Sequence, residues 1–429
     1  MTPADLKVVR RQLANGLRVV CVPQPLLHTA SVSIYIRVGS RFETPDTNGL
    51  SHLLEHMLYR GSPSYATAHD EALALERLGA TLYAATHTDH GVMGLTVPSE
   101  NLAEAFGVLA EVTTAPRFSD FEIERGIIRE EVLESLNEDN EQVDPDNLSR
   151  ALMFGSHPLG FPITGTLETL SSFRLDDLRR HHGLHYTGEN VVVSFAGAID
   201  VEACLRLAQE RLGGMARGLR CAASPAPRDQ VQPRFRYVEN QGSQTDLRLA
   251  FRAPGELDPK EPAAEVLTRL LDDGMSTRLY ARICDELGLC YDVWADYETF
   301  EDDGVLDLAA AVQHARAPRV LEEMIGVVKK VAEEGPTHDE LARCKDRHRW
   351  EMRSLLDDAE GLSDFHAITA LAGISDTIEA RDREIAQVTR DDVVEMAQRV
   401  FRPEHASVVA VGVLSRAERR TLEQIVNGI

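Results

Sequence analysis

His52, Glu55 and His56 stand in the run Gly49-Leu-Ser-His52-Leu-Leu-Glu55-His56-Met-Leu58. On a helix, positions i, i+3 and i+4 lie on one face. Two imidazoles would then project side by side toward one Zn²⁺, with Glu55 beside them to hold a water against the metal. From composition, a His-x-x-(Asp or Glu)-His match is expected roughly 0.08 times in such a chain, so chance is a poor account of it. The competing account is a pair of histidines that cap or pack a buried helix.

A tetrahedral catalytic zinc takes three protein ligands and keeps a fourth position for water. The best source of a third is the acidic stretch Phe121-Glu-Ile-Glu124-Arg-Gly-Ile-Ile-Arg-Glu130-Glu131-Val-Leu-Glu134. Glu124 and Glu131 are seven residues apart, two helical turns along one face, so Glu131 can ligate while Glu124 orients a histidine. Spacing alone leaves it equally open that these acids form a solvated face.

The elements that would carry these residues occur twice. In the first half a strand (31–38) leads to a helical stretch, a helix ending at Leu78-Gly79, a strand through Tyr83-Ala84 and another at 93–97. In the second half a strand (246–251) leads to a helical stretch (262–271), a helix ending at Leu287-Gly288, a strand through Tyr291 and another at 305–309. Amphipathic helices follow at 101–113 and 318–331, then two helix starts, Ser119-Asp-Phe-Glu122 and Thr337-His-Asp-Glu340, each reading as a capping box, at an offset of 337 − 119 = 218. Residues 214–232, rich in Gly, Ala, Pro and basic groups, read as a linker. The expected fold is α+β: two homologous domains, 1–213 and 233–429, each a largely antiparallel sheet packed with helices. Shifted by 218, Glu124 and Glu131 fall on Ala342 and Arg349, and no His-x-x-Glu-His occurs after residue 230, so the second domain should be metal-free.

The 429-residue length suits two such domains. A net charge of −24 would repel a phosphate backbone and an anionic membrane, which excludes nucleic-acid and membrane-surface partners. Six scattered cysteines without a CxxC pair, no apolar leader in residues 1–11 and no run long enough to span a bilayer point to the cytoplasm.

His52-Leu-Leu-Glu55-His56, followed by Glu131 at 131 − 56 = 75 residues, resembles the inverted zinc motif of the pitrilysin/insulinase family. Ile123-Glu124-Arg125, His157-Pro-Leu-Gly160-Phe-Pro162-Ile-Thr-Gly165 and Gly288-Leu-Cys-Tyr291-Asp-Val293 extend the likeness over nearly the whole chain, whose size is that of the short branch similar to mitochondrial processing peptidase. The resemblance implies that His52, His56 and Glu131 bind zinc, that Glu55 is the general base and that Glu124 supports the site. Glu130 is the neighbouring alternative, but the family's supporting acid lies seven positions before its ligand, which favours Glu131. It also implies a clamshell whose second half closes a chamber, a peptide or unfolded segment held as an added strand along Tyr83 and Ala84, and a substrate contact from Tyr291. Two positions depart from the family: Tyr83 stands where an asparagine is usual, and Cys284 where an arginine is usual. Members of this branch work as dimers, so the resemblance suggests a heterodimer with a homologous subunit that lacks the zinc motif, or alternatively a homodimer. A rival reading is a non-catalytic assembly subunit that keeps the fold, against which the intact metal set argues.

Other residues invite blander readings. His181, His182 and His185 should close a helix before the strand at 190–196, where histidine suits the dipole. His87 and His90 lie in a turn, Cys284 and Cys290 have no partner pattern, and the acids of 130–146 read as a solvated face.

Overall fold

A computed structural model describes residues 6–374 and 377–429; the first five residues of the stretch read above for a leader lie outside them. The chain forms two compact units. Unit 1 comprises Met1–Val132, Pro162–Ser224 and Glu351–Arg381; unit 2 comprises Leu133–Phe161, Pro225–Trp350 and Asp382–Ile429. The expected domains, 1–213 and 233–429, were contiguous halves; the units instead exchange two segments, 133–161 and 351–381. The expected linker, 214–232, contains no helix or strand.

Among the described residues unit 1 is built on six strands: β1 (Val9–Gln12), β2 (Arg18–Pro23), β3 (Thr29–Ile36), β4 (Thr81–Thr86), β5 (Gly91–Pro98) and β6 (Val191–Gly197), in the order β1-β2-β6-β3-β5-β4. Neighbours are antiparallel except β2 and β6. Seven of the eight β3 residues and all of β6 are buried, because helices cover both faces of the sheet. One face carries the helices of the first half, with the Phe106 ring of helix Leu102–Thr114 edge-on to Phe195 of β6. The other face packs Val20, Val22, Tyr35, Val92, Val192 and Ala196 against Leu362, Ala367 and Leu371 of helix Ala359–Ala372. Nothing local in the strands announces that cover, since its helix is drawn from the second half of the sequence.

Unit 2 repeats the plan with β7 (Arg234–Val238), β8 (Thr245–Ala253), β9 (Trp294–Thr299), β10 (Gly304–Val312) and β11 (Ser407–Val411), in the order β7-β11-β8-β10-β9. Its main core joins Leu247, Leu249 and Phe251 to helices Glu261–Leu271, Ala317–Glu334 and Arg390–Val400. Its other face is covered by helix Pro145–Phe154, through Leu148 on Val238, Val409 and Val411 and through Met153 and Phe154 on Ala250 and Val305. The two borrowed helices begin 359 − 145 = 214 residues apart, so the repeat runs on past the capped helices.

Two local expectations differ. Tyr291 lies in an irregular turn that precedes β9 rather than in a strand, and is 93% exposed. Thr337 and Glu340 do exchange capping bonds, but helix Phe121–Glu134 starts on the Asp120 carbonyl, one residue after Ser119, because Phe118 and Asp120 adopt positive φ and turn the chain there. Among the described residues no helix is long and apolar enough to cross a membrane.

Candidate metal centre

Helix α1 (Leu50–Leu58) buries Leu53, Leu54, Met57 and Leu58 completely, which leaves His52, Glu55 and His56 on the remaining face. Its start is held tightly. The carboxylate of Glu43, 4% exposed, accepts from Gly49 N at 2.9 Å, Ser51 N at 2.7 Å and Asn48 Nδ2 at 3.1 Å, so it satisfies amides that a helix N-terminus leaves open. Burial pushes the Glu43 carboxyl above its usual range, against the pull of those bonds. Gly49 has φ +95° and sits so close to Gly165 that a Cβ would stand 2.7 Å from its Cα. Both glycines are therefore required by shape. Asn48 Nδ2 also reaches the Pro162 carbonyl at 2.8 Å, which ties in the loop whose sequence carried part of the resemblance.

Helix α2 (Phe121–Glu134) lies beside α1, with Glu124, Ile128 and Val132 buried. Glu131 Oε2 is 3.0 Å from His52 Nε2 and 3.9 Å from His56 Nε2. One donor atom from each of His52, His56 and Glu131 lies within 4.8 Å of the others, and among the described residues this is the one such group of three or more possible ligands. Glu124 Oε2 is 3.0 Å from His56 Nδ1, and its other oxygen pairs with the Arg60 guanidinium. That contact fixes the His56 ring with Nε2 facing Glu131. Burial works against the charged form of His52, but the hydrogen bond and charge of Glu131, with Glu55 and Glu43 behind them, outweigh it and raise its pKa. The same bond to His52 holds Glu131 below the usual carboxylate range. Glu130 points elsewhere: its side chain is 74% exposed, beside Arg129.

Glu55 Oε2 accepts from Thr86 Oγ1 at 2.9 Å and lies 3.8 Å from His52 Nδ1. Tyr83 and Ala84 lie on β4, the last strand of its sheet, which pairs with β5 on one side. The Tyr83 side chain leaves on the face of helix Ala359–Ala372, where its hydroxyl donates to Asp364 at 2.7 Å. Only the backbone of this position is therefore presented at the edge. Tyr291 belongs to unit 2. There Arg282, near the family's arginine position, is held by Glu323 at 2.8 Å and Glu286 at 2.9 Å, and Cys284 Sγ lies 3.8 Å from Cys290 Sγ.

The histidines of 175–185 do close a helix, and their nitrogens serve structure: His181 meets Ser51 Oγ, His182 the Thr113 carbonyl and His185 the Arg37 carbonyl. Sequence reasoning missed Glu43, Arg60 and Thr86. Arg60 had a signal, since it lies one turn beyond His56; Glu43 and Thr86 reach α1 through the tertiary fold. In unit 2, the helices matching α1 and α2 are bridged by His348 Nδ1 and Glu265 Oε1 at 2.8 Å, with Arg269 on the same carboxylate at 3.2 Å.

Two family patterns cover most of the chain. The one described as "Insulinase (Peptidase family M16)" matches residues 18–167, and "Peptidase M16 inactive domain" matches 172–347. An uncharacterized zinc protease of Mycobacterium tuberculosis is 31% identical over 418 residues, 95% of each chain. The uncharacterized zinc protease YmxG of Bacillus subtilis is 28% identical over 93% of this chain and 97% of its own. The fold matches the crystal structure of a protease from Helicobacter pylori with a TM-score of 0.87 at 20% identity, over 95% of this chain and 100% of that one. It also matches a chain of Complex III2 from Candida albicans, with a TM-score of 0.80 at 17% identity, over 97% and 100%. This chain belongs to the M16, or pitrilysin/insulinase, peptidase family.

Proposed function

We propose that the chain is a zinc-dependent endopeptidase acting on peptides or unfolded segments. The observation that carries this reading is the convergence of His52, His56 and Glu131, with Glu55 alongside and Glu124 fixing a ring. Two imidazole nitrogens and one carboxylate oxygen are a donor set that zinc accepts while keeping a position for water. Bound there, zinc supplies Lewis acidity toward a scissile carbonyl and lowers the pKa of its water to near neutral. Glu55 takes the attacking water's proton on its carboxylate and passes it to the leaving amine. The open edge of β4 at Tyr83 and Ala84 receives the substrate as an added strand through backbone hydrogen bonds, which selects segments free of stable tertiary structure.

Tyr291 contributes a further substrate contact, and the chain acts as the catalytic member of a heterodimer whose homologous partner lacks the zinc motif. Supporting this, Cys284 replaces the family's arginine and Arg282 is occupied by Glu323 and Glu286. Six free thiols suit a reducing compartment such as the cytoplasm.

The test is cleavage of a mixed peptide library with and without chelator, read by mass spectrometry, with zinc measured on the same sample. About one zinc per chain and chelator-sensitive cleavage are expected. Glu55→Gln should keep the metal and lose about 10²-fold or more in kcat. Near-normal turnover in that variant would overturn the mechanism, and absence of both zinc and cleavage would favour a non-catalytic subunit. Activity of the isolated chain that is unchanged by a motif-lacking homologue would overturn the heterodimer in favour of a homodimer or monomer.

A further inference from the structure

We propose that Thr86 is a positioning residue for the proton-accepting carboxylate: its hydroxyl, at the end of edge strand β4, holds one oxygen of Glu55 and leaves the other for the proton. The inference rests on Glu55 being the base and adds a residue that neither the motif nor its spacing indicates.

The placement follows from strand alternation. Tyr83 and Ala85 pack in the cluster around helix Ala359–Ala372, so Leu82, Ala84 and Thr86 face the opposite side, toward α1. Thr86 Oγ1 then donates to Glu55 Oε2 at 2.9 Å. Thr86 is a firm mount. It is the last rung of the β4–β5 ladder, opposite Gly91, and the turn beyond it is closed by His87 N on the His90 carbonyl at 2.8 Å. Branching at Cβ restricts its χ1, so the donor has few directions available. A hydroxyl donating to an ionised carboxylate is a strong hydrogen bond, and it leaves one oxygen engaged while the other keeps its lone pairs. Glu55 sits on a helix and has three side-chain torsions; without a second anchor its carboxylate would sample positions that miss the water.

This contact has a mechanistic consequence. The strand on which the substrate is laid also holds the base, so the register of the added strand and the direction of proton transfer are set by one element. Positioning of this kind acts on the chemical step more than on binding.

Thr86→Val keeps the shape and strand preference and removes the donor; Thr86→Ser keeps the donor. Measured on the zinc-loaded full chain with an unstructured peptide, Thr86→Val should lower kcat about 10-fold, leave KM within about twofold, and leave zinc affinity and thermal unfolding unchanged. Thr86→Ser should recover most of the loss. In a Glu55→Gln background Thr86→Val should add nothing, because the two act as one unit. Wild-type kcat in Thr86→Val, an equal loss in Thr86→Ser, or a loss matched by weaker zinc binding would each overturn the role. The two ideas fail differently: full turnover by Glu55→Gln removes the base itself, whereas an inactive Glu55→Gln beside an unaffected Thr86→Val removes only the positioning.

Discussion

Neighbouring glutamates with the same chemistry have different surroundings at this centre. Glu131 Oε2 approaches both histidines, while Glu130 stands 74% exposed beside Arg129. Competition with a fluorescent chelator should show Glu130→Gln binding zinc as the wild type does. Glu124→Gln should bind about 10- to 100-fold more weakly through the loosened His56 ring, and Glu131→Gln more weakly still. Equal effects at 130 and 131 would remove Glu131 from the ligand set. Helical spacing put His52, Glu55 and His56 on one face and Glu124 and Glu131 on another, but it left the two acids open as a solvated face, and the preference for Glu131 over Glu130 came from the family resemblance. Spacing did not say which way Glu131 faces, nor that Arg60 pairs with Glu124, because both depend on how the two helices meet.

The start of α1 is the element on which the centre depends. Glu43 gathers its amides, and two glycines back to back let the 162–165 loop close over it. Gly49→Ala would force a side chain into a left-handed residue and against Gly165, at a cost of about 1–2 kcal/mol before any clash is relieved. Chemical denaturation should show the loss, with zinc affinity falling alongside; an unaltered midpoint would mean that the contact is slack. The capping box at Thr337 offers a different test. The Arg278 guanidinium holds the Glu340 carboxyl down at about 2, below the usual carboxylate range. Because the folded value is depressed, the stability it contributes is present above the usual carboxylate pKa and fades as pH falls toward 2. Glu340→Gln should cost about 1–2 kcal/mol near pH 7, discounted for partial exposure, and little at pH 2. An equal cost at both values would show that charge is not the cause. The box at Thr337 was readable from sequence, whereas the matching start at Ser119 was not, since the positive φ of Phe118 and Asp120 decides it.

For the whole molecule, the repeat was legible and its bookkeeping was not. Strands and helices recur at nearly constant offset, but the helix that should close each copy packs in the other unit, and no local pattern encodes that choice. Separately expressed pieces 1–224 and 225–429 should therefore each be poorly soluble, and co-expression should recover folded material, as size-exclusion chromatography would show. Well-folded single halves would mean that the borrowed helices are dispensable. The exchange also bears on synthesis. By the time β6 is complete at Gly197, the unit 1 sheet has every strand, yet the face bearing Val20, Val22, Tyr35, Val92 and Val192 has no cover. Its helix ends 372 − 197 = 175 residues later. At ~5–20 residues per second, the nascent chain carries an open apolar sheet face for roughly 10–35 s. Until that helix is made, the face that the finished protein hides behind Leu362, Ala367 and Leu371 stands open to water.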